Sequence, residues 1–488
     1  MIEAFIINEK TYIKLSANEW RYSAAALGLM KYFDFLAIPI VEKEVELLNE
    51  VEIVKDLPDQ ALIVYESETG FEYLCFAKAL LTEASYFDFV RKIYSKDLYP
   101  LLIQEQLKKS QFNDDELKEI NSWLAGNTVM KSVFSKMKFD GQNKQEILTA
   151  IEENRDHLTK ESFRYKKNLY ANYNNTYQLC NESGDCCRLT GYSLDVGKKG
   201  RSSAYNFNAK TKTGIDSLLF DWVPFAFNGD REAFFINANR SLKQLKQTHT
   251  FLSHQIQKDH DENKNNNQNV RYSLFNSIIH SAGFIDEDVE VIYKNRERDF
   301  FETLYIRKES MKILKTMGKI DFINYKSFCF SLKINDNYYI DIQEKVTNCI
   351  LNLILTDELI ELFLKQKNGN DYLISQFIEI NWLIRRGGEM MKKKMSGAYA
   401  CAKEVVKKIP TNKIESYRQK LTSAIVFKDY DRVCQILLQL SNYSDVSFNF
   451  AYDLFEDFEN NKDIAYTFIN ALRNETDYKT KNEGGTQA

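Results

Sequence analysis

Two stretches of this chain concentrate the side chains that hold phosphate. Between residues 188 and 212 stand Arg188, Lys198, Lys199, Arg201, Lys210 and Lys212 against one acid, Asp195. Gly197, Gly200, Ser202 and Ser203 lie among them, with the rings of Tyr192, Tyr205 and Phe207. A flexible basic loop with small hydrogen-bonding residues can follow a phosphate backbone or enter a groove, and its aromatics can stack on bases. Composition alone fits a solvated surface loop equally well. The second stretch, residues 392–432, carries 11 Lys and Arg against 4 Asp and Glu, whereas residues 433–488 carry 4 against 9. Lys392, Lys393 and Lys394 open it, shortly after Arg385 and Arg386. Solvated helix faces usually mix their signs, so a basic beginning and an acidic end point to one phosphate-binding face and one soluble face.

Catalysis is poorly served by the remaining residues. His157, His249, His254, His260 and His280 show no metal-ligand spacing such as His-x-x-x-His. Asp259-His260-Asp261-Glu262 lies in an Asn- and Lys-rich stretch and reads as solvated linker. Asp114, Glu116 and Lys118 superficially resemble a nuclease carboxylate set, but all three fall within about one helical turn. No phosphate-cradling Gly-rich loop and no Gly-x-Ser-x-Gly elbow occurs. The expectation is a non-enzyme without a cofactor. Cys180, Cys186 and Cys187 could supply part of a zinc site, yet a structural zinc takes four ligands, commonly from two Cys-x-x-Cys knuckles, and neither knuckle is present. They read as the remnant of a zinc site with no metal bound. Most other cysteines, such as Cys75 in YLCFA and Cys349 in TNCILNL, read as small reduced core residues.

The elements that must position these residues follow from patterning. A chain of 488 residues calls for two or three domains, and only 5 prolines and 18 glycines favour long helices over a many-stranded sandwich. The fold class expected is α+β and predominantly helical. A mixed N-terminal domain, residues 1–342, would hold small sheets, with a basic loop insertion at 173–212 and a mobile loop at 255–269. A C-terminal antiparallel helical bundle would occupy residues 343–488. Trp20–Phe35 has helical apolar spacing; Val51–Val54, Leu62–Tyr65 and Phe71–Cys75 read as strands, and Phe76 to about Lys167 as helix beginning anew at Asn113. Hairpins are expected for Val289–Tyr293 with Thr303–Ile306, and for Ser327–Leu332 with Tyr338–Ile342. Four apolar stripes mark the bundle: Ile414 to Ile425, Val433 to Leu440, Val446 to Phe458, and Ile464 to Leu472, with Asn412 and Glu415 spaced as a reciprocal cap. No apolar run approaches the roughly 20 residues that span a bilayer, and the N-terminus lacks a signal-peptide pattern, so a cytoplasmic protein without membrane contact is expected.

Taken in order, the Trp20 helix with Ala24-Ala25-Ala26, the Tyr86-Phe87 segment, the cysteines at 180–187, LLFDWVPFAF at 218–227 and the helical end resemble the large subunit of type I-B CRISPR Cascade complexes, in the branch named for a CXXC-CXXC motif. Cys180-x5-Cys186-Cys187 departs from that motif. The resemblance implies a non-catalytic subunit of a crRNA-guided surveillance complex that recognises the target-flanking motif, supports R-loop formation and recruits the helicase-nuclease. Its partners would be crRNA, target double-stranded DNA, the displaced single strand, and the backbone, end-capping and small subunits. On that reading the loop at 188–212 meets duplex or displaced strand, and the basic side of the bundle lies along single-stranded DNA. The resemblance also implies a separately made small subunit. Arg386-Gly387-Gly388-Glu389-Met390-Met391 can be encoded as AGA-GGA-GGU-GAA-AUG-AUG, which sets a ribosome-binding sequence before Met390 and Met391 and would yield residues 391–488 alone. Without a nucleic-acid partner, the composition fits a stand-alone bacterial defence or interaction protein.

Overall fold

The computed structural model describes residues 2–57, 59–96, 98–134, 137–165, 217–229, 233–262, 287–294, 301–318, 323–366 and 370–473. The fold is α+β and predominantly helical. The chain divides into two compact units, one of Met1–Asn266 with Asp288–Tyr305 and one containing Ile306 onward. The change of unit thus falls earlier than the 342/343 boundary the patterning suggested.

In the first unit, β1 (Ile2–Ile7) and β2 (Lys10–Ser16) form a hairpin whose two-residue turn, Asn8-Glu9, has both φ angles positive, at 52° and 66°. That backbone matches the twist of the strands, the usual reason for glycine at such a turn; here an asparagine and a glutamate supply it. Helix α1 (Trp20–Phe35) follows, then β3 (Ile40–Val45), α2 (Glu50–Asp56), β4 (Ala61–Glu66) and β5 (Phe71–Ala77). The five strands order as β1-β2-β5-β4-β3, with β3 and β4 parallel across α2. The strand expected at Val51–Val54 is therefore a helix. Asn49 accepts a hydrogen bond from the Val51 amide, Glu50 and Glu52 sit in the first turn, and only Ile53 is buried.

One face of the sheet carries α1, whose run from Ser23 to Met30 is buried throughout. The small residues in that run let a 3-10 segment, Leu218–Ala226, approach closely. A Cβ on Gly28 would lie 2.0 Å from the Trp222 carbonyl oxygen, so only glycine fits. Trp222, fully buried, meets Tyr32 and Tyr86 edge-on at 5.5 and 5.2 Å, and the Tyr86 hydroxyl donates to the Asp221 carbonyl at 2.9 Å. Helix α3 (Glu83–Ile93) packs into the first core, while α4 (Tyr99–Gln106), α5 (Asp114–Leu124), α6 (Thr128–Phe134), α7 (Lys144–Glu153) and α8 (Arg155–Tyr165) enclose a second one around Ile103, Ile120, Met130, Ile147 and Leu158. Asn113 and Glu116 close a full capping box at the start of α5.

A second sheet runs β6 (Asn228–Gly229), β7 (Ala233–Asn237), β8 (Val289–Lys294) and β9 (Phe301–Ile306), with β7 buried along its whole length. Between β7 and β8, α9 (Leu242–Glu262) extends past Gln255. The loop expected at 255–269 is thus helical as far as Glu262; its Gln, Lys, Asp and Glu residues are tolerable helix formers and neither Gly nor Pro interrupts them. Residues 263–269 lie outside the described residues.

The second unit opens with α10 (Lys308–Met317), a 3-10 turn at Tyr325–Phe328, and the hairpin β10 (Ser331–Asn335) with β11 (Tyr338–Asp341). The hairpin begins later than expected because Ser327 and Phe328 belong to the turn. Helices α11 (Ile342–Asn352), α12 (Asp357–Lys365), α13 (Asp371–Ile384), α14 (Glu389–Lys408), α15 (Thr411–Val426), α16 (Tyr430–Ser444), α17 (Ala451–Glu456) and α18 (Phe458–Ala471) complete it. Of the first stripe, Ile414, Leu421, Ala424 and Ile425 are buried and Tyr417 is half-buried; of the second, Val433, Ile436, Leu437 and Leu440 are all buried as expected. The third does not lie on one helix: Val446 and Phe450 precede α17, and Phe458 starts α18. Nor does the Asn412–Glu415 cap form, because the helix begins at Thr411 with Pro410 as its N-cap. Scarce glycine does not make the helices long. Leu353, Arg386, Lys428 and Asp445 take left-handed backbone at helix ends, with φ between 50° and 57°, so the chain turns without it.

Candidate nucleic-acid interface

Of the expected contact residues, Arg188, Lys198, Lys199, Arg201, Lys210 and Lys212 lie outside the described residues, and so do Cys180, Cys186 and Cys187. The second set surrounds the junction of α13 and α14. There Arg386 adopts φ +54°, the Gly387 amide donates to the Trp382 carbonyl at 2.9 Å and the Arg386 amide to Leu383 at 3.1 Å. This is a Schellman-type stop with arginine in the left-handed position. Gly387 has a steric role of its own, since a Cβ there would sit 2.2 Å from the Trp382 ring; Gly388 meets nothing within 4 Å. Met390 is exposed and Met391 half-buried in the first turn of α14.

The five cations at this junction differ in what they face. Arg385 turns inward: its Nε lies 3.4 Å from Asp463 Oδ2 and its Nη2 donates to the Glu459 carbonyl at 3.3 Å. Arg386 is exposed, 3.8 Å from Glu309. Lys392 pairs with Glu379 at 3.1 Å and lies 4.7 Å from the Trp382 ring centre. Lys394 pairs with Asp453 at 2.6 Å. Lys393 alone of the five is exposed with no ion pair among the described residues. The acidic end of the sequence is therefore spent partly on its own basic beginning, and the net charge of a tract overstates the charge a ligand would meet.

Free charge on α14 lies elsewhere. Met395, Ala398, Ala402 and Val405 form its buried stripe. At 100° per residue, Lys393 and Lys407 project from the opposite side, fourteen residues and roughly 21 Å apart, and Glu404, which pairs with Lys408 at 3.1 Å, lies on that side as well. Lys407 is exposed and unpaired among the described residues, and Lys403 lies between them, 5.7 Å from the Tyr399 ring. The signal that finds Lys407 is this helical spacing rather than the density of charge.

Behind this face is a buried polar cluster. Asn381, on α13, donates to Asp357 and to Asp463 at 2.9 Å each, while its oxygen accepts from the Thr356 amide at 2.6 Å and the Thr356 hydroxyl at 2.8 Å. Asp463 is 1% exposed. Burial raises its carboxyl to about 6 against the opposing pull of Asn381 and Arg385. The cluster ties α12, α13 and α18 together, and every member has a structural partner.

Other candidate chemistry resolves into packing. His249 is fully buried, with Nε2 2.8 Å from the Ile236 carbonyl and its ring stacked on Phe235 at 5.1 Å; burial, aided by the charge on Lys31, lowers its imidazole to about 3. Glu116 accepts from the Asn113 amide and pairs with Lys109, and Lys118 pairs with Asp115, so that acidic set serves the start of α5. Asp259 to Glu262 fall on the last turns of α9. Burial raises the Cys75 thiol to about 12. Among the described residues no group of three or more His, Cys, Asp or Glu is placed to hold a metal ion, and no helix is long and apolar enough to cross a membrane.

The described residues thus form a mixed unit built on a glycine-tight helix and a helical unit in which Lys393 and Lys407 face outward. Comparison with protein families identifies a CRISPR-associated protein: the family model described as CRISPR-associated protein Csx8 matches residues 11–472. The chain belongs to the Csx8 family. No curated protein and no solved structure matches it.

Proposed function

We propose that the chain is a non-catalytic large subunit of a crRNA-guided antiviral surveillance complex, in the manner of type I-B Cascade. The observation that carries the reading is the outward face of α14, where Lys393 and Lys407 project away from the buried stripe in a chain of a CRISPR-associated family. Lysines along about 21 Å of helix match a phosphate backbone, whose charges recur every few ångströms. In this role the subunit recognises the motif flanking the target, supports R-loop formation and recruits the helicase-nuclease. Residues 188–212 supply further phosphate contacts, and Met390 or Met391 starts a separate small subunit.

Affinity purification of the tagged chain from its own cell tests the assembly. Recovery of crRNA with several further proteins is the expected result, and recovery of the chain without RNA refutes the proposal. With the complex in hand, Lys393→Gln together with Lys407→Gln should reduce the salt slope of target-duplex binding by about 1.8, the value for two lost phosphate contacts.

A further inference from the structure

The first unit leaves one edge of its larger sheet open. Strand β3 stands at the end of that sheet and pairs, among the described residues, with β4 alone, in parallel. The Ala61 amide donates to the Pro39 carbonyl and the Ser67 amide to the Val45 carbonyl, each at 2.9 Å. Backbone groups alternate in direction along a strand, so Val41 and Lys43 also face β4, and the amides and carbonyls of Ile40, Glu42 and Glu44 point away from the sheet. No backbone group meets them among the described residues. The side chains alternate too. Ile40 packs toward α1 and Glu42 pairs with Lys243 of α9 at 3.0 Å, whereas Val45 packs on the other face, with α2.

An open edge accepts strands of any kind unless charge restrains it. Here the restraint has one sign. Glu44, Glu46, Glu50, Glu52 and Glu68 are exposed and without an ion pair among the described residues; the Glu68 amide donates to the Glu46 carbonyl at 3.1 Å, which brings the last of them to the others. Of the cations nearby, Lys43 is held by Asp56 at 2.5 Å and Lys243 by Glu42, which leaves Lys55 in the last turn of α2 as the exposed ammonium. Apolar side chains are exposed among these carboxylates. Val41 lies on β3, and Leu47 and Val51 follow it at 61% and 58% exposure. A purely protective edge has no use for an exposed leucine and valine, and a phosphate backbone would be repelled by the acids.

We propose that the β3 edge is a docking site for an extended, basic segment of a protein partner, which joins the sheet as a further strand. The backbone of Ile40, Glu42 and Glu44 supplies the hydrogen bonds, and the strand period of two dictates the partner's sequence. Cations on one face of the incoming strand lie across from Glu42 and Glu44, and apolar residues on the other lie beside Val41 and Val45. Acidic strands are rejected by the same carboxylates, so the guard of the edge is also its selector. The inference rests on the reading of the chain as one subunit of a larger complex, and adds the surface through which another protein joins it.

The test is fluorescence anisotropy of labelled peptides with the purified full chain. A short peptide of alternating lysine and valine should bind, its glutamate–valine counterpart should not, and oligothymidylate should not displace it. Glu44→Gln with Glu46→Gln, Glu50→Gln and Glu52→Gln, all at exposed positions, should weaken binding about tenfold and flatten its salt dependence. Glu44→Pro removes one outward amide and leaves the ladder to β4 intact, so it should weaken binding further than Glu44→Gln alone. Wild-type binding by the multiple glutamine variant, equal binding by Glu44→Pro and Glu44→Gln, or displacement by oligothymidylate overturns the site. In the complex purified from the cell, a carbodiimide should join these carboxylates to lysines of a second protein; cross-links confined to lysines of this chain overturn the partner. Peptide failure with crRNA present in the complex sinks the edge alone, whereas absence of crRNA with peptide binding intact sinks the assembly reading alone.

Discussion

Replacing Gly28 by alanine sets a methyl carbon where the backbone of the facing segment already stands. The new Cβ would be 2.0 Å from the Trp222 carbonyl oxygen and 2.8 Å from its carbonyl carbon, whereas ordinary contact begins near 3.4 Å. Relief requires the 3-10 segment Leu218–Ala226 to retreat by about 1.4 Å, since both obstructing atoms are main chain. That retreat pulls Trp222 from between Tyr32 and Tyr86 and stretches the 2.9 Å bond from Tyr86 to the Asp221 carbonyl. Alanine recovers about 1 kcal/mol of helix propensity, but overpacking of a filled core costs about 1–3 kcal/mol and a buried hydrogen bond about 1 more. A net loss of about 1–3 kcal/mol is expected, read as a lowered midpoint in thermal unfolding followed by circular dichroism and tryptophan fluorescence. Gly397→Ala is the control. It lies mid-helix on α14 with nothing within 4 Å of the added carbon, so it should be neutral or stabilising by up to about 1 kcal/mol. A Gly28→Ala protein that melts with the wild type would refute the close packing of α1 on Leu218–Ala226.

The two units should respond oppositely to acid through their buried titrating groups. Asp463 has its carboxyl raised to about 6, so its contribution is full below the unfolded carboxylate range near 4 and is lost as pH rises through 6; Asp463→Asn should flatten that trend in hydrogen exchange of α18. His249 is lowered to about 3, so its stabilisation of the first unit is full above the unfolded value of 6.5 and fades as pH falls toward 3; His249→Gln should remove this dependence from exchange of β7 and α9. Asn113→Ala breaks the capping box of α5 and should cost about 1 kcal/mol, seen as faster exchange in Asp114–Leu124 without loss of the global fold. The buried Cys75 should resist a thiol reagent in the native protein while the exposed Cys329 reacts; rapid modification of Cys75 would contradict its placement in the core of the sheet.

Much of the helical architecture was legible because burial imposes its period on the sequence. Ile414, Leu421 and Ile425 can share a core only on a helix, and the same holds for Val433, Ile436 and Leu440. Local signals failed where two of them competed. Val51, Ile53 and Val54 suit a strand, yet the cap at Asn49 and the acids after it decide for a helix. The β1–β2 hairpin was hidden by its turn, since Asn8-Glu9 takes positive φ without the glycine that would announce it. In the candidate interface the concentration of charge was visible, but its neutralisation was not. Lys394 meets Asp453 and Arg385 meets Asp463 only after folding, across separations no local pattern records.

The seat that α12 and α13 make for α18 bears on any shorter chain beginning at Met391. Asp463, Tyr466 and Asn470 recur at helical spacing on one side of α18, and they bond to Asn381, Glu361 and Ser375 respectively. A chain starting at Met391 has the first three and none of the second three. Its last helix would present a carboxylate, a phenol and an amide shaped for partners that stayed behind. Hiding that side would take a second copy or a surface within a larger assembly, so for such a product folding and association would be one event, with the folded fraction set by concentration. Dilution alone would then unfold it, while the same residues at the end of the longer chain stay ordered at any dilution.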